Sequence, residues 1–202
     1  MEGINCALMR IRRTNGIDNE WVVSMKKIFI GMLLVFLDFN LDIGSSRIGL
    51  IPDFLGYIYM LKGLSELIEL STRFSKVKPY VNGMAIYSGF CYAIDLFGVT
   101  SMIGEPINFA LGLMATILSL FISHSIILGI KDIEVVKEQS LNSEQLYAAW
   151  KMLAVFSFIL YLAYVVPALA FVCILASFII GIFYLFRFNE TKNLFYEQNP
   201  IV

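Results

Sequence analysis

Six apolar runs, 16 to 25 residues long, follow one another at 28–43, 52–70, 80–98, 106–130, 146–166 and 167–186. A helix needs roughly 20 apolar residues, at about 1.5 Å each, to cross about 30 Å of hydrocarbon. Each run meets that length or nearly does. A chain of 202 residues cannot surround six wholly buried core helices, so a soluble fold is not the expectation. The basic residues sharpen the reading. Arg10, Arg12, Arg13, Lys26 and Lys27 precede the first run, and Arg73, Lys76 and Lys78 follow the second. Lys131, Lys137 and Lys151 follow the fourth, and Arg187 and Lys192 follow the sixth. Thirteen of the fifteen thus fall in alternate gaps and tails, leaving Arg47 on the other side and Lys62 inside a run. Basic residues collect on the cytoplasmic side of membrane proteins. The expected fold is an all-α integral membrane bundle of six transmembrane helices in the cell membrane, both termini cytoplasmic.

The organisation predicted from this pattern is a cytoplasmic tail at 1–24, a six-helix membrane domain at 25–188 and a frayed polar tail at 189–202. Dropping the first tail leaves the charge bias at ten against one, so the orientation does not depend on it. Lys26 and Lys27 precede an apolar stretch as in a signal peptide, but Asp38 interrupts it and no small-residue cleavage site follows. Pro52, Pro106 and Pro167 stand where helices 2, 4 and 6 begin, and Pro79 where helix 3 begins, since a first turn tolerates a missing N–H. Asn142 with Gln145 resembles a capping box for helix 5. Small residues recur every four positions at Ala85, Gly89 and Ala93, at Ala115, Ser119 and Ser123, and at Cys173, Ser177 and Gly181. Packing of helix backbones explains these stripes; a pore lining is the less favoured alternative.

Composition narrows the function classes. The chain is 58% hydrophobic with mean hydropathy +0.76, and its net charge of −1 gives no basic surface for nucleic acid. Cys6, Cys91 and Cys173 lack zinc spacing and an even disulfide count. No catalytic motif and no cofactor is indicated.

The polar residues inside the runs are the candidate site. Asp38 lies about 16 Å beyond Lys27, and Lys62 about 15 Å below Pro52, which predicts an ion pair at the midplane. The hairpin of helices 1 and 2 is then mirrored about residue 50, which also sets Arg47 against Asp53. Glu66, one turn from Lys62, offers it a second partner. Asp42 lies one turn above Asp38, and Asp95 adds another acid towards the outside. His124, between Ser123 and Ser125, is read as a packing residue ahead of a proton shuttle. The candidate intramembrane set is therefore Asp38, Asp42, Arg47, Asp53, Lys62, Asp95 and His124.

The stretch I-G-L-I-P-D-F-L-G-Y-I at 48–58, followed by L-K-G-L at 61–64, resembles a family of uncharacterised multi-pass membrane proteins of bacteria. The resemblance covers roughly the first hairpin and implies a bacterial membrane protein without an assigned activity. From the residues themselves, Gly56 and Gly63 share a helical face with Asp53 and Met60, so that face is expected to pack inward. The favoured function is a non-enzymatic accessory, assembly or sensing component. The alternative is a small transporter or channel subunit with an acidic outward-facing site. Expected partners are the lipid bilayer and a second copy or another membrane protein.

Overall fold

The computed structural model describes residues 23–36, 40–43, 46–49, 52–98, 104–163 and 167–199. Among them are six helices and one two-stranded ribbon. In chain order these are α1 (23–36), β1 (Asn40–Ile43), β2 (Ser46–Gly49), α2 (Asp53–Glu66), α3 (Thr72–Leu96), α4 (Glu105–Lys137), α5 (Ser143–Ala163) and α6 (Pro167–Gln198). The layers are all-α. Consecutive helices pack side by side and antiparallel: Phe54 meets Tyr92, Tyr80 meets Phe121, and Thr116 meets Tyr161. Phe29 stacks on Phe188 and Tyr184 reaches Met32, which brings α6 back against α1. Residues 23 and 199 therefore lie at the same end of the bundle, here called the charged end.

Among the described residues two helical segments are long and apolar enough to cross a membrane, Pro106–Lys137 and Val172–Gln198, with mean hydropathy 2.1 and 1.9. The first hairpin departs from the expectation. α2 has 14 residues and so spans about 21 Å. The predicted continuous helix over 28–43 gives way to strand at Asn40. β1 pairs antiparallel with β2, Asn40 opposite Gly49 and Ile43 opposite Ser46, which centres the hairpin between residues 44 and 45. The same centre governs the helices below. A Cβ on Gly31 would come within 2.5 Å of the Gly56 carbonyl oxygen, and one on Gly63 within 2.6 Å of the Ser24 carbonyl oxygen. Two glycines at one crossing let the backbones touch, and any side chain there would drive them apart. Gly56, Met60 and Gly63 face inward as their spacing predicts.

Other helix ends differ in instructive ways. α3 begins at Thr72, not at Pro79, because Ser71 supplies a side-chain acceptor for the Arg73 N–H. Pro79 sits inside the helix on an exposed face. Asn142 adopts φ 57°, and its amide donates to Glu190, so it forms no capping box. Glu134 serves instead: its carboxylate accepts from the Leu141 and Ser143 N–H groups and from the Ser143 hydroxyl. The tail after Phe188 is not frayed. α6 continues to Gln198 because Phe188, Thr191 and Phe195 repeat at helical spacing and are all buried.

Candidate ligand-binding cavity

The two halves of the bundle are built differently. Towards the charged end the core is close-packed: Ile28, Leu64, Leu67, Phe74, Val81, Ile126, Ile130 and Phe188 are fully buried. Gly129 makes room for the Phe74 ring. Polar side chains tie this half together. Glu66 accepts from Ser24 and Lys27, and Asp132 accepts from Ser71 at 2.6 Å and Arg73 at 2.9 Å. Lys131 pairs with Glu144. The hydrogen bond from Lys131 holds the Glu144 carboxyl below its ordinary value.

Towards the ribbon end the helices part around a cavity of about 540 Å³, bounded by α1 to α5. Its rim is acidic, with Asp53 from the first turn of α2 and Asp95 from the last turn of α3. Its walls carry three phenol rings, Tyr57, Tyr87 and Tyr92. Hydroxyls follow on α3, α4 and α5, among them Ser88, Thr116, Ser119 and Ser157. Helix geometry explains why so polar a wall is tolerated. Ser88, Thr116 and Ser157 each donate to the carbonyl one turn back, so their hydrogens are satisfied within their own helices. The Thr116 hydroxyl lies 2.7 Å from that of Tyr161. At the floor, Trp150 Nε1 donates to Ser123 Oγ at 3.0 Å.

The predicted site residues scatter across this framework. Asp53 and Asp95 come together at the rim. Asp42 and Arg47 are opposite each other in the backbone register of the ribbon, whereas the mirror about residue 50 sets Arg47 against Asp53. Asp38 lies outside the described residues. The mirror about residue 50 is displaced by more than five residues, and on the observed register Lys62 stands level with Lys27 near the charged end. Its side chain is exposed beside the Tyr59 ring, 5.9 Å away, and Glu66 is engaged by Lys27 instead. His124 packs tilted against the Trp150 and Tyr147 rings, centroids 4.5 and 5.7 Å away, and does not line the cavity.

Sequence reasoning missed the phenols and the hydroxyls. The stripe Ala115, Ser119 and Ser123 was assigned to packing, and all three line the cavity. The signal was present: serines recur on that stripe where the α6 stripe ends in Gly181, which faces Phe36 in ordinary contact. Tyr57, Tyr87 and Tyr92 carried no periodicity of their own, since they come from two helices. Among the described residues no three His, Cys, Asp or Glu side chains group to hold a metal ion. Comparison with family models, with curated proteins and with solved structures finds no match to this chain.

Proposed function

We propose that this is a six-pass protein of a bacterial cell membrane, both termini cytoplasmic, acting without catalysis as a sensing or accessory component that binds a small ligand from outside. A girdle of exposed apolar side chains supports the membrane placement. It includes Ile86, Phe90, Met114, Val155, Phe178 and Ile182 on α3 to α6, far more than a soluble surface carries. Every described Lys and Arg except Arg47 lies towards the charged end, which fits a cytoplasmic face. The first two passes are completed by the ribbon, whose strand β2 lies against α3. Protein cover and water in the cavity then satisfy backbone groups that lipid would not. The short resemblance of the 48–64 stretch agrees with a bacterial membrane protein and adds no activity.

The observation that carries the binding role is the cavity itself, polar and acid-rimmed at one end and floored by dry packing at the other. Such a blind vestibule receives a ligand without passing it on. The test is reagent accessibility in intact cells. Cysteines at Ser101 and the native Cys91 should react with a membrane-impermeant thiol reagent, and one at Ser140 should not. Labelling of Ser140 would reverse the orientation, and an unreactive Cys91 would remove the vestibule.

The transporter reading keeps one specific support, the depth of the cavity from Asp53 down to Ser123. A carrier would need its floor to part, with Leu120 and Leu153 separating from the helices below. Substrate flux in reconstituted vesicles distinguishes the two readings, since a binding component gives saturable binding without flux.

A further inference from the structure

We infer that the seam between α1 and α6 at the charged end binds the phosphate group of an anionic lipid, held between Lys26 and Lys192. This rests on the proposed membrane placement and not on the vestibule. The two helices run antiparallel, with Phe29 stacked on Phe188 at 6.0 Å between ring centroids. Lys26 lies one turn from Phe29 and Lys192 one turn from Phe188, each nearer the charged end and on the face that carries the ring. The two lysines therefore stand level across the seam, close enough for their charges to oppose each other. Neighbouring acids are taken, since Glu66 pairs with Lys27 and Glu190 with Arg187. Among the described residues neither Lys26 nor Lys192 has a carboxylate partner. Two like charges facing each other repel, and an anion between them turns that repulsion into attraction.

The surroundings fix the class of anion. The Lys192 ammonium lies over the Phe29 ring, 4.6 Å from its centroid, and donates to Asn189 Oδ1 at 2.6 Å. That bond uses the amide's oxygen and leaves its N–H donors for an oxygen of the ligand. Two ammonium groups and an amide above an aromatic ring suit a phosphate, which lysine binds as a point charge. The source follows from what lies further along α6. Phe178 and Ile182 are exposed there, where acyl chains run when the phosphate sits at the charged end. Basic clefts between membrane helices on the cytoplasmic side hold lipid headgroups in this way. A phosphodiester without an ammonium of its own is favoured, because the cation of a zwitterionic headgroup competes with the lysines.

The test holds the full chain in bilayer discs of phosphatidylcholine, with and without phosphatidylglycerol. Native mass spectrometry reads which lipid is retained, and thermal melting reads its effect. The wild type should retain phosphatidylglycerol over phosphatidylcholine and melt higher in its presence. Lys26→Gln should weaken that preference about fivefold, the share of one lysine at a membrane surface, and Lys26→Arg should restore it. Lys76→Gln removes an exposed lysine of α3 at the same end and should leave the preference intact. In phosphatidylcholine alone, Lys26→Gln should melt no lower than the wild type, because it relieves the opposition between the two charges. A lower midpoint there would mean that an acid of the chain, such as Asp18 or Glu20, already fills the seam, and the inference would fall. Equal retention of the two lipids by the wild type, or an equal loss in Lys76→Gln, would overturn a site at this seam. Inorganic phosphate raising the midpoint as far as phosphatidylglycerol does would overturn the lipid as its source. A chain that no bilayer disc holds would remove the membrane placement, and this inference with it.

Discussion

The charged half and the ribbon half of this bundle use the same helices for opposite ends. In the charged half, buried side chains pack closely and polar groups bond across helices, as Glu66 does to α1 and Asp132 to Ser71 and Arg73. In the ribbon half, Ser88 and Ser157 bond back along their own helices, and only Thr116 and Ser123 among the hydroxyls named also meet a side chain across helices, Tyr161 and Trp150. A cross-helix hydrogen bond holds two elements together, whereas an intrahelical one leaves the wall free to face a ligand. The lesson is that polar residues in an apolar bundle are not one class. What the proton bonds to decides whether the group is a clasp or a lining.

Five substitutions probe that contrast, beginning with the largest effect. Gly31→Val places a methyl-bearing carbon where the α1 and α2 backbones touch, and should cost about 3 kcal/mol or more. Thermal melting of purified protein reads it, and an unshifted midpoint would mean the two helices do not meet there. Next, Glu134→Ala strips the acceptor from two backbone N–H groups and a hydroxyl at the start of α5, a loss of about 2 kcal/mol. Hydrogen exchange at Leu141 and Ser143 should accelerate while that of α3 stays the same. Exchange faster throughout the bundle would show that the clasp is not local.

Glu66→Gln is milder, about 1 kcal/mol, because the pair with Lys27 is partly exposed. Thermal melting reads it as well, and a loss as large as that of Glu134→Ala would contradict a partly exposed pair. The smallest effect belongs to the lining. Ser88→Ala and Ser157→Ala should each shift stability by no more than about 0.5 kcal/mol, since only an intrahelical bond is lost. A shift as large as that of Glu134→Ala would mean that the ribbon half is clasped as firmly as the other.

How much of this was legible follows from the reach of each signal. Helix starts at Pro52, Pro106 and Pro167 could be read because a proline constrains its own φ and its own missing donor. Pro79 misled because Ser71, eight residues earlier, already capped the helix. The ribbon had a local signature, Gly44-Ser45 between two four-residue strands, but the apolar count over 28–43 overrode it. That error moved the hairpin centre and separated Lys62 from the depth assigned to it.

Period, length and charge bias are properties of the chain taken a few turns at a time, so the all-α class, the helix order and the gathering of basic residues at one end were determined by sequence alone. Which carboxylates meet was not. Asp53 and Asp95 are 42 positions apart, and the phenols beside them come from α2 and α3, so only the packing of α2 on α3 and α4 could assemble them. The cavity has the same origin: it is space left between five elements, and an unfilled volume has no residue to announce it.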